Sequence, residues 1–97
     1  MIIVTGSVTA RPETFDAGRE ASLAHVHRSR GEDGCISHAV HIDSENPLRL
    51  FFYEQWRDMA ALKVHFAQPG SIDFVTSVRG LAASSEAISM FEVQPAG

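Results

Sequence analysis

A single cysteine leaves no partner for an internal disulfide and no multi-cysteine metal motif, so Cys35 reads as a packing residue in a reducing, cytoplasmic setting. No apolar run approaches the roughly 20 residues that a membrane-crossing helix needs. The opening MIIVTGSV has no basic start and only a short apolar stretch, unlike a secretory leader. Basic residues are also few, 8 against 12 acids, for a formal charge of −4. They are scattered from Arg11 to Arg79, so no basic stripe can track a phosphate backbone. Neither nucleic acid nor a membrane is an expected partner. The glycines are too separated to cradle a phosphate, and no nucleophile elbow supports acyl transfer.

What is present fits one domain over residues 1–97. Ile2 to Thr9 alternates in the β-branched, period-two manner of a strand. After Arg11-Pro12 a helix is expected from Thr14 to about Arg30, with Phe15, Gly18, Ser22, Val26 and Ser29 as a narrow face of mostly small residues. Gly31-Glu32-Asp33-Gly34 stops it. A second strand should run from Cys35 to about Ile42, and the polar turn Asp43–Pro47 should lead into a third from Leu48 to Arg57. Asp58 is placed to cap a helix from Met59 to Phe66, with a break at Gln68-Pro69-Gly70 and a further helical segment from Ile72 to about Leu81. A last strand is expected from Ala87 to Val93. The order β-α-β-β-α-β predicts an α+β protein of the ferredoxin-like plan, with a four-stranded antiparallel sheet.

Strand three carries Leu50, Phe52, Glu54 and Trp56 on one side and Phe51, Tyr53, Gln55 and Arg57 on the other. Both sides bear aromatics, yet two helices cover only one face of such a sheet. A second copy packed sheet against sheet is the simplest cover, which predicts a homodimer.

Three segments carry a resemblance: Glu32-Asp33-Gly34-Cys35 before strand two, Tyr53-Glu54-Gln55-Trp56 in strand three, and Ala60-Ala61-Leu62 followed by His65 in the helix. In that order and spacing the chain resembles the antibiotic biosynthesis monooxygenase domain family, small dimeric α+β barrel proteins that include quinol monooxygenases. The resemblance implies oxidation of a quinol or hydroxyaromatic substrate by molecular oxygen, with no metal or flavin cofactor. Related folds degrade haem or isomerise small metabolites, and many members have no established activity. This chain departs from the family pattern at Pro69-Gly70-Ser71, where a second histidine often follows. It departs again at His38, where an aromatic is common.

A cofactor-free oxygenase needs chiefly a base and a dry pocket, because an aryloxide gives an electron to oxygen far more readily than its parent phenol. His65 is the best-placed base, sharing a helix side with Leu62 and loosely with Ala61 and Phe66. Its structural alternative is a buried histidine that only packs. Glu54 could orient a histidine, hold a substrate hydroxyl or act as a base, but a structural pair to an arginine or to backbone amides is favoured. Trp56 reads as core with its indole available to a pocket, and His38 projects in register with Ile36, Val40 and Ile42. With a pocket between sheet and helices, Trp56, Glu54, His38, Phe52 and Phe74 are the expected substrate-binding residues. His25 and His27 point to different sides of their helix, and His38 and His41 to opposite faces of their strand, so no metal-ligand spacing is evident. The alternatives to a monooxygenase are a non-catalytic small-molecule-binding or stress-associated dimer, and an isomerase using the same proton-transfer groups.

Overall fold

The computed structural model describes residues 1–97. Seven elements follow one another: β1 (Ile2–Ala10), α1 (Phe15–Ser29), β2 (Cys35–Asp43), β3 (Asn46–Trp56), α2 (Met59–Ala67), α3 (Pro69–Leu81) and β4 (Ala82–Glu92). The strands form one sheet in the order β2-β3-β1-β4, every neighbouring pair antiparallel. This is the ferredoxin-like α+β fold that the element order predicts.

Register fixes which residues share a face, because directly paired residues point the same way. Val4 pairs with Glu54, and Glu54 with His38, so these three stand side by side across three strands. One step along, Gly6, Phe52 and Val40 form the next row. The helices lie over this face. Ile2, Val4, Trp56, Ala61 and Leu62 make one core cluster, and Val26, Leu50 and Phe52 a second. Trp56 and Leu62 are both fully buried; truncating Leu62 to alanine would cost about 2–5 kcal/mol.

The buried side of α1 is Gly18, Ser22, His25, Val26 and Ser29. Small side chains let this helix sit close to the sheet: a Cβ at Gly18 would already touch Leu50 and Ala10. Asp58 caps α2 as expected, accepting from the Ala61 N–H at 2.9 Å. Between α2 and α3 the break is shorter than Gln68-Pro69-Gly70. Only Gln68 leaves helical geometry, and Pro69 starts α3, where its fixed φ and missing N–H fit a first helical turn.

Two further expectations are corrected. Strand β4 begins at Ala82, five residues before Ala87, because the small polar run Ala82–Glu86 is drawn into pairing with β1 although it has little strand character of its own. Ile36 leaves the face of His38, since the pairing of β2 with β3 shifts between Cys35 and Ser37, and Ile36 is exposed. No helix is long and apolar enough to cross a membrane.

Candidate active site

The site is built where β3, β2, α1 and the α2–α3 segment meet. On β3, Glu54 is buried on the strand face it shares with Phe52 and Trp56, and its Oε1 accepts the Trp56 indole N–H at 2.9 Å. The Nε2 atoms of His38 and His65 stand 3.2 and 3.9 Å from the same oxygen. The His38 approach lies off the line of a ring N–H bond, so it is a close charge–dipole contact, and both ring nitrogens of His38 are left without a hydrogen-bond partner. Burial alone would raise the Glu54 carboxyl. The His38 contact, the Trp56 N–H and the field of His65 outweigh that and hold it below its ordinary value.

His65 projects from α2 together with Ala61 and Leu62. Its ring lies over Trp56 at 4.5 Å between centroids, and its Nδ1 is 2.8 Å from Glu32 Oε1. A carboxylate only accepts, so Nδ1 carries the proton and the lone pair of the neutral ring lies on Nε2. Glu32 reaches this position because its loop closes tightly on α2. Gly34 has φ +84°, and a Cβ there would collide with that of Ala61, so glycine satisfies both the backbone and the close approach.

His25 completes the group from α1. Phe74 stacks on it at 4.1 Å and 4°, and Arg28 Nη2 donates to its Nδ1 at 2.6 Å. Burial, followed by repulsion from His38, His65 and Arg28, pushes the His25 imidazole down to about 3. Arg28 in turn lies across Gly70, where any Cβ would collide with its side chain. The Pro69-Gly70-Ser71 segment thus makes room for an arginine that fixes the His25 ring.

A cavity of about 480 Å³ opens beside this group, a size suited to a small organic ligand. Phe52, Phe74, Val75 and Val78 supply apolar wall, while His25, Glu54, His65 and Ser71 bring polar groups to it. Residues Ala82–Ile88 of β4 form one side.

The profile of the family described as antibiotic biosynthesis monooxygenase matches residues 1–77. The chain belongs to this family. A candidate antibiotic biosynthesis monooxygenase from Deinococcus radiodurans has a solved structure that superposes with a TM-score of 0.93 at 26% identity, covering 99% of this chain and 95% of that one. PA3566 from Pseudomonas aeruginosa superposes at 0.85 with 26% identity, covering 97% and 94%. The uncharacterised protein sll1783 of Synechocystis is 30% identical over 92 residues, which is 95% of this chain and 63% of that protein. The chain therefore spans less than two thirds of that relative's length.

Of the residues expected at the site of this antibiotic biosynthesis monooxygenase domain, His65, Glu54, Phe52 and Phe74 line the cavity. His38 and Trp56 do not; both are fully buried behind it and act on Glu54 and His65. Glu54 has neither the arginine nor the backbone partner expected for it, because its polar neighbours are the Trp56 indole on its own strand, His38 across the sheet and His65 on α2. Cys35 keeps its packing role, against the Ile2–Leu62 cluster, and burial pushes its thiol up, away from the reactive thiolate.

Sequence reading missed two residues. His25 lies seven after Gly18, three after Ser22 and four before Ser29, on the helix face already identified by its small residues. Its periodicity carried the signal. Glu32 stood inside the quoted Glu-Asp-Gly-Cys segment, but nothing in local sequence says that a turn before β2 meets a helix 33 residues later.

Proposed function

We propose that the protein is a monooxygenase that oxidises a quinol or hydroxyaromatic compound with molecular oxygen, with His65 as the base. The observation that carries this reading is the Glu32–His65 pair, which leaves the free Nε2 lone pair at the wall of a largely apolar cavity. His65 takes the substrate hydroxyl proton, and the resulting aryloxide passes one electron to oxygen. Superoxide and the aryloxyl radical then join at a ring carbon. Loss of water leaves a carbonyl, so one oxygen atom enters the product and the other leaves as water, carrying the substrate's two hydrogens. Glu54, 3.9 Å from His65 Nε2, stabilises the imidazolium while it exists. Phe52 and Phe74 supply apolar surface for the aromatic ring. The protein works as a cytoplasmic homodimer of one-domain subunits, its second sheet face covered by a twin.

Oxygen uptake with hydroquinones and anthrone-like phenols, measured in chelator, tests the reaction. His65→Ala should lower turnover by roughly 10²–10⁴-fold. Uptake that is unchanged in His65→Ala would remove the assigned base. Anaerobic turnover of a carbonyl sugar would replace the reading with an isomerase.

A further inference from the structure

Three buried histidines from three different elements, His25 on α1, His38 on β2 and His65 on α2, each offer a ring nitrogen within 4.8 Å of the other two. Their ring centroids are 5.2, 5.3 and 5.6 Å apart. An imidazole bound to zinc at about 2.0–2.1 Å has its centroid about 3.2 Å from the ion, so two such rings at a tetrahedral angle sit about 5.2 Å apart. The centroid spacings therefore match those of rings that share an ion, and a tilt of the rings about their side-chain bonds is what would bring the nitrogens, now within 4.8 Å of one another, onto it. Glu54 Oε1, in contact with two of the rings, supplies an oxygen at the same place.

Three further observations point the same way. A buried carboxylate is normally paired with a cation or ligates a metal, and no lysine or arginine reaches Glu54: its close contacts are an indole and imidazoles. Both nitrogens of fully buried His38 and Glu32 Oε2 have no hydrogen-bond partner. Glu32 on His65 Nδ1 is moreover the carboxylate–histidine arrangement that fixes the tautomer of a metal-bound ring.

We propose that His25, His38 and His65, with Glu54 as an oxygen ligand, form a binding site for one divalent first-row transition-metal ion such as Zn²⁺. One group opposes it. Arg28 donates to His25 Nδ1, which leaves the proton on Nε2. The ion takes that nitrogen only when the exposed Arg28 side chain swings away and the proton moves to Nδ1. Arg28 is thus a brake on the site. The ion also occupies the His65 lone pair that would accept the substrate proton, so the loaded protein loses the base reaction. Metal binding itself does not depend on that reaction and is read without turnover.

The full-length protein, stripped by chelator and dialysed, is titrated with Zn²⁺ by calorimetry and with Co²⁺ by visible absorption. The expected result is one ion per chain at micromolar affinity or better, with a Co²⁺ ligand-field band that Zn²⁺ displaces. His25→Gln and His38→Gln each weaken binding at least tenfold, roughly what losing even an outer-shell partner costs. Glu32→Gln weakens it by about 10–100-fold. Arg28→Ala tightens it, and His27→Gln, on the exposed side of α1, leaves it unchanged. Circular dichroism checks the fold of each variant. If a histidine variant does not fold, the Co²⁺ spectrum of the unaltered protein and the opposite effects of Arg28→Ala and Glu32→Gln decide. No ligand-field band and no heat at millimolar Zn²⁺ would overturn the proposal, as would binding that His25→Gln retains and His27→Gln loses.

Discussion

Glu32 holds His65 across 33 residues of sequence, its Oε1 2.8 Å from the ring Nδ1. The link joins the turn before β2 to the last turn of α2 and sets which nitrogen of the ring is basic. In the proposed reaction Glu32 touches no reacting atom and is a positioning residue.

Glu32→Gln separates positioning from packing. An amide of the same shape can still fill the space, but its NH₂ can donate to Nδ1 and favour the tautomer whose Nε2 is already protonated. Turnover should fall by about 10–100-fold with KM nearly unchanged, the effect of a misdirected base rather than of lost binding. Steady-state oxygen uptake over a substrate series measures both constants. An equal rise in KM with kcat preserved would make Glu32 a pocket-shaping residue only.

Glu54 is open to a similar dissection through stability. Replacing it with leucine leaves the buried Trp56 N–H without an acceptor, which should cost about 1–3 kcal/mol. Glu54→Gln keeps an acceptor oxygen and should cost less than Glu54→Leu. Urea unfolding of the two variants gives the comparison directly. Equal losses would mean that the carboxylate charge, and not the indole hydrogen bond, holds this part of the core.

The alternation of β3 and the Asp58 cap were legible in the sequence because each is a local rule acting over a few residues. His65 was legible for the same reason, through its helix side. The rest of the site depends on contacts between distant segments. Glu32 meets His65 only because Gly34 lets a loop close on Ala61. His25 enters because small residues on α1 bring that helix down to the sheet. The early start of β4 is likewise decided by pairing with β1, not by the residues Ala82–Glu86 themselves.

The Asp58 cap makes a pH prediction. The Ala61 N–H, and then Arg57, hold the Asp58 carboxyl below its ordinary range. A depressed carboxyl stabilises the fold above its unfolded pKa of about 3.9, and that contribution disappears as pH falls through the folded value. Asp58→Asn keeps a capping oxygen but cannot titrate. Urea midpoints of the native protein should therefore exceed those of Asp58→Asn near neutral pH and approach them as pH drops below about 4. A difference that stays constant over that range would assign the cap no ionic part.

The uncovered face of the sheet carries the remaining prediction. Phe51 and Tyr53 of β3 point away from the helices, and across β1 the pairing of Ile3 with both Gln55 and Phe91 places Phe91 on the same side. Phe91 is 52% exposed in the single chain. Apolar side chains gathered on one face of a sheet are normally covered, and a two-fold partner presents the same set in return. Light scattering at micromolar concentration should therefore give a mass of two chains. Phe91→Glu sets two like charges near one another across a two-fold interface and should shift the protein toward monomer, while its circular dichroism stays unchanged because the position is already open to solvent. A native monomer would leave the face uncovered and remove the twin subunit from the proposed architecture.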